Sequence, residues 1–354
     1  MRSGAFGVVK ELRLLAAAVG ICVALGASAA AQEEKVPTLH AYANLVQVPA
    51  LVLDRDRKPI VPIAEGRFFI SIDGGPKFRV THARLEGEDP ITLAILLDVS
   101  QPFPSLMRGI DDAIAGLAPG SLHAKDRISV YSLDCKLLRS AVDAPANAAT
   151  LKEAVDRALE SWKVSGVDRY RRDCKTPWNL WDAMAYAAQR LAGQPGRRVM
   201  LVVTDGVDRG SKSSLDALQD YAQGRGVAIF GMLQPGDAGG LYHGSMNQVN
   251  GFNALCEMSG GMVLTATQKE LPEHLNWFTT LLRDRYIVEF PHPIDTVGGK
   301  HSLEVTIDRM EPFIRPAGIS VPVDNPDILK DPMTIPSDPS RVPQLGKHKL
   351  AAPH

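Results

Sequence analysis

A chain of 354 residues, 45% hydrophobic and 22% charged, has the composition of a soluble globular protein with room for two domains. Its net charge of −1 excludes a large electrostatic grip on nucleic acid. The stretch RYRRDCK, Arg169 to Lys175, is mixed in sign and reads as a solvated loop rather than a basic patch.

Residues 1–31 read as an export signal. Arg2, Lys10 and Arg13 precede LLAAAVGICVALGASAAA, an apolar run that is short for a bilayer span and ends in small residues. Ala29 and Ala31 fit an A-x-A cleavage site, so the mature chain is expected to start at Gln32 and to act in the periplasm or outside the cell. An uncleaved anchor is the alternative. No later segment is apolar for long enough to span a bilayer. Cys22 would leave with the signal. Cys135, Cys174 and Cys256 then remain, an odd number for an oxidising compartment and not spaced as a zinc site. One disulfide and one buried free thiol is the simplest account.

Residues 32–90 read as short strands. LVQVPALVLD, FFISID and KFRVTHARLE are separated by the turns DRDRKP and GGP. At Ile91 the pattern changes. ITLAILLD is a continuous apolar run, as a strand buried on both faces requires. A helix follows around Met107 to Leu117, then the strand RISVYSLD with LLRSAVD beside it. LKEAVDRALESW and LWDAMAYAAQRLAG have helical spacing, and the second ends at a glycine. RRVMLVVTDG, VAIFGML and MVLTAT are strands. SLDALQDYAQGRG, FNALCEMSGG and KELPEHLNWFTTLLRD are the helices that alternate with them. Such alternation over 91–284 implies parallel βαβ units in a doubly wound, mostly parallel α/β sheet.

Residues 285–323 return to β, with YIVEF and HSLEVTID as a hairpin and FIRPAGISVPV as a further candidate strand. Residues 324–354 are rich in proline and polar residues without periodicity, and are expected to be mostly disordered. Neither β segment alone has enough apolar surface for a core. The economical arrangement is one small β-sandwich built from both, with the α/β domain inserted. Two separate β appendages are the alternative.

Ligands of doubly wound sheets sit beyond the carboxyl ends of the strands, where strand order reverses. Asp98 ends ITLAILLD and Asp205 ends RRVMLVVTD. As neighbours they would face one crevice, and two carboxylates there call for a divalent cation or a network of donors. Mg²⁺ takes about six oxygen ligands, and Ser100 and Thr176 can supply hydroxyls.

Four features, in order, carry a family resemblance: Asp98-Val-Ser100, the helix LWDAMAYAA, VVTDG, and MSGGMVLTA. Together they resemble a von Willebrand factor type A domain, whose metal-ion-dependent adhesion site reads D-x-S-x-S, a loop threonine, and the aspartate of T-D-G. The flanks LVQVPALVLDRDRKPI, FFISIDGGPKFRV and LLRDRYIVEF through HSLEVTI resemble the bacterial VWFA-related proteins. The resemblance implies a non-enzymatic protein-binding module that recognises an acidic side chain through a bound cation. Cys135, ending the second strand, and Cys174, in the middle loop, should sit on the rim that carries Asp98, as an expected disulfide, with unpaired thiols the alternative.

The departures lie at the site. Pro102 stands where the second serine belongs, and proline offers no side-chain oxygen. Counting back from Asp182 puts Trp178 where the loop threonine belongs, so Thr176 serves only if the loop carries extra residues. The set Asp98, Ser100, Thr176 and Asp205 is therefore expected to hold Mg²⁺ or another divalent cation weakly or not at all. In the other reading, the two aspartates are hydrogen-bonded strand ends. Binding of a protein partner would then use the rim around Phe103, Trp178 and Tyr242, with Trp178 expected to be exposed. A structural subunit of an envelope complex is the alternative function. Catalysis finds no support: there is no G-x-S-x-G elbow, no H-E-x-x-H, and no second aspartate two places after Asp98.

Overall fold

The apolar run Ile91–Asp98 forms a strand buried along its whole length near the middle of a seven-stranded sheet. The structure is a computed structural model that describes residues 45–100, 105–165, 177–235, 246–291, 302–316, 343–345, 348 and 350–351. These residues fall within one unit, Asn44–His354. The expected export signal lies outside them. No helix among the described residues is long and apolar enough to cross a membrane.

The strands, in chain order, are β1 (Leu45–Leu53), β2 (Phe68–Ile72), β3 (Phe78–Arg79), β4 (His82–Leu85), β5 (Ile91–Asp98), β6 (Arg127–Leu133) and β7 (Leu137–Pro145). They continue with β8 (Arg197–Val203), β9 (Val227–Leu233), β10 (Val263–Thr265), β11 (Tyr286–Pro291), β12 (Leu303–Ile307), β13 (Phe313–Pro316) and β14 (Leu350–Ala351). The helices are α1 (Ile110–Ala115), α2 (Ala148–Ser165), α3 (Leu180–Ala192), α4 (Leu215–Gly224), α5 (Met246–Met258) and α6 (Leu271–Arg283).

The large sheet has the order β10-β9-β8-β5-β6-β7-β14. All neighbours are parallel except the β6–β7 hairpin. Order reverses between β5 and β8, which pair from Ile91↔Arg197 to Leu97↔Val203. Side chains of β5 alternate between two cores, as strand geometry demands. Leu93, Ile95 and Leu97 join α1, α2 and α6 in one. Ala94 and Leu96 join α3, α4 and α5 in the other. Helix α3 is buried on most of its circumference, and four of its buried residues are alanines. A helix that apolar all round belongs in an interior.

The flanking strands make two smaller sheets, β13-β1-β11-β4 and β12-β2-β3. Strands from before and after the α/β layer pair directly: β1 and β4 with β11, and β2 with β12. A shared core of Val46, Val48, Phe68, Ile70, Tyr286, Val288, Phe290 and Val305 lies between them. One β-sandwich is therefore built from both flanks, and two separate appendages are excluded. The stretch KFRVTHARLE divides between the sheets. Val80 N donates to Phe68 O on one sheet, and the next amide, Thr81 N, donates to Glu289 O on the other.

The chain enters and leaves the α/β layer at one place. Arg285 forks onto Glu86, with Nε–Oε2 and Nη2–Oε1 both 2.8 Å, and both residues are about 1% exposed. The backbones also bond, Glu86 N to Arg285 O (2.7 Å) and Gly87 N to Arg283 O (2.9 Å). Arg283 donates to Gly87 O, Asp89 O and Asp126 Oδ2. Asp126, fully buried, also accepts from Ile91 N and His123 N.

Most of residues 324–354, expected to be disordered, lie outside the described residues. Among those described, β14 joins the edge of β7, and Leu345 and Leu350 pack against the core on the α3 side.

Candidate functional site

Asp98 and Thr204-Asp205 stand at the carboxyl ends of β5 and β8, on either side of the order reversal. Asp98 is 1% exposed. Its Oδ1 accepts from Ser100 N (3.1 Å) and Ser100 Oγ (2.6 Å), and its Oδ2 accepts from Thr204 Oγ1 (2.7 Å). Thr204 Oγ1 in turn accepts from Gly206 N (3.1 Å). Burial, reinforced by the charge of Asp205, pushes the Asp98 carboxyl up to about 6, against the donors Ser100 and Thr204 and the charge of Arg209.

Arg209 supplies the positive charge of the site. Its guanidinium lies across Asp205, with Nη2 2.5 Å from Oδ2 and Nη1 3.4 Å from Oδ1, while Nη1 also donates to Val207 O (2.9 Å). Asp205 Oδ1 accepts from Val207 N as well (3.0 Å). Despite the opposing effect of partial burial, the bonds and charge of Asp205 raise the pKa of Arg209, so its charge is held fixed. Sequence reasoning stopped at T-D-G and missed this residue. The signal available was a lone cation four places after Asp205, in TDGVDRG.

The loop carrying Arg209 is fixed by two further carboxylates. Asp208 accepts from Trp181 N, Gly210 N and Ser211 N. Asp182, 1% exposed in the first turn of α3, accepts from Lys212 N (3.0 Å) and Ser213 N (2.7 Å). The acid of the LWDA helix thus anchors the rim loop.

Trp178 was expected on an exposed rim, and the structure corrects this: it is 4% exposed. Its ring centroid lies 5.8 Å from Tyr186 and 4.6 Å from His348, so the C-terminal segment helps cover it. Phe103, Thr176 and Tyr242 lie outside the described residues. Cys135 is disulfide-bonded, and its expected partner Cys174 also lies outside them. Cys256 is a free, fully buried thiol whose pKa burial pushes far up, so it is core rather than reactive.

As arranged, the described carboxylates are satisfied by protein donors. A hard divalent cation needs several oxygens turned toward one centre. Both oxygens of Asp98 accept protein donors, and both oxygens of Asp205 face a guanidinium. No group of three or more His, Cys, Asp or Glu that could hold a metal occurs among the described residues.

No protein-family model matches the chain, and no curated protein matches it. Among solved structures it is similar to an aerotolerance-related membrane protein from Bacteroides fragilis. Identity is 11%, over 54% of this chain and 98% of that one, with a TM-score of 0.38. It is similar to the vWF domain of the type V pili tip protein Mfa5 from Porphyromonas gingivalis, at 10% identity over 54% and 94%, TM-score 0.38. It is also similar to proximal thread matrix protein 1 from the mussel byssus, at 14% identity over 59% and 49%, TM-score 0.40.

Proposed function

We propose that this chain is an exported, non-enzymatic protein-binding module of the von Willebrand A type, whose rim engages its partner without a divalent cation. One observation carries the reading: Arg209 is bonded to Asp205 beside Asp98, so one of the two carboxylates already has a protein cation. A side chain thus faces the Asp205 oxygens that a metal would use. The Arg209 side chain is still 38% exposed, and arginine is enriched among the residues that carry binding energy at protein interfaces. Ser100 gives its hydroxyl proton to Asp98, and among the described residues no histidine bonds to it. It is a strand-end donor, not an activated nucleophile. The leader pattern of residues 1–31 supports export.

Thermal unfolding tests the absence of a cation. The midpoint of the mature protein is expected to be the same in EDTA as in millimolar Mg²⁺ or Mn²⁺. Arg209→Ser should gain a cation-dependent rise, since binding at 100 times Kd adds about 2.7 kcal/mol. A rise in the unaltered protein would overturn the reading. Photo-cross-linking tests the rim. A cross-linker at Lys212, exposed on the rim loop, should trap a protein partner in EDTA, whereas one at Phe313 on the sandwich should not. Trapping only from Phe313 would instead favour an assembly subunit acting through its sandwich.

A further inference from the structure

The C-terminal segment lies in a groove that reads both its backbone and its side chains. Leu350 and Ala351 pair in parallel with Leu137 and Leu138 on the outer edge of β7. His348 sets Nε2 3.0 Å from Asp182 Oδ2, with side chains 11% and 1% exposed, and lays its ring on Trp178. Upstream, Gln189 Nε2 donates to Pro343 O and Ser213 Oγ donates to Gln344 O, both at 3.1 Å. Leu345 and Leu350 pack, partly buried, against the apolar core on the α3 side. An added strand, two backbone carbonyls held by side chains, and separate contacts for aliphatic and imidazole groups are the elements of strand-addition peptide recognition.

The segment is also an addition to the sheet rather than part of its winding. Strands β10-β9-β8-β5-β6-β7 are continuous without it, and it caps an edge that would otherwise present unpaired backbone groups. Residues 317–342 join it to β13, a length that reaches roughly 86 Å when extended at about 3.3 Å per residue. Covalent connection therefore imposes little on where it docks, and the groove itself fixes its position.

We propose that this groove is a peptide-binding site whose ligand is the chain's own C-terminal segment, docked in cis and read as Leu345-x-x-His348-x-Leu350. It is detachable, and it closes the β7 edge and Trp178 to other chains.

Hydrogen exchange on the full mature chain tests it. The doubly altered chain His348→Ala/Leu350→Asp should lose protection at the β7 amides around Leu137 and Leu138 by at least tenfold, while β5 and β8 keep theirs. A synthetic peptide of residues 342–353 added in trans should restore that protection, and the same peptide carrying both substitutions should not. Unchanged β7 protection in the altered chain would show that the segment does not dock. Loss that the peptide cannot restore would show it to be an integral strand rather than a ligand. Light scattering of the unaltered protein should give a monomer. A dimer that the double substitution dissociates would overturn docking in cis and assign the segment to a second copy.

Discussion

Arg285→Met should lower the unfolding free energy by about 3–5 kcal/mol, the usual cost of stranding one member of a buried ion pair. Arg285 and Glu86 are both about 1% exposed and joined by two 2.8 Å bonds. The variant leaves the Glu86 carboxylate without its fork in an interior that cannot hydrate it. Burial of the carboxylate, not loss of attraction alone, sets the size of the effect. The paired change Glu86→Leu/Arg285→Met should therefore recover much of the loss, because the unpaired charge is gone. Urea unfolding of the three proteins measures both terms. A loss below about 1 kcal/mol in the single variant would mean that water reaches Glu86.

Asp98 should make the protein less stable as pH rises from about 4 to about 6. Its carboxyl stands at about 6 when folded against an ordinary 3.8, so the folded chain keeps a proton that the unfolded chain has released. Between those values the folded state binds more protons, and unfolding free energy falls with pH before levelling off above about 6. The two limits differ by about 3 kcal/mol at about 1.4 kcal/mol per unit. Asp98→Asn removes the term. Its stability relative to the unaltered protein should climb by about that amount between pH 4 and pH 7.5. The amide can still donate to Thr204 Oγ1 and accept from Ser100, so the network survives. A difference that stays flat across this range would remove the buried charge from the account.

The architecture was legible because its signals are local. Eight successive buried positions in ITLAILLD announce a central strand, and two aspartates ending parallel neighbours mark the order reversal. The sandwich was legible by elimination, since neither flank carries a core of its own. What stayed hidden depends on distant partners. KFRVTHARLE looks like one strand because nothing local shows that Val80 and Thr81 bond to different sheets. Trp178 looks like a rim aromatic until Tyr186 and His348 close over it. His348 lies far along a proline-rich stretch with no pattern to tie it to Asp182. Arg209 is adjacent to the motif but plays no part in it, and only the fold shows its guanidinium turned back onto Asp205.

The junction of Glu86 and Arg285 has a mechanical meaning. Both covalent ends of the α/β layer meet at this junction, while β1 bonds directly to β11 and β13. A pull between Leu45 and Pro316 is carried first by those strand-to-strand bonds. The sandwich acts as a shunt, so tension along the chain bypasses the layer that bears Asp98 and Arg209 until β1 tears free.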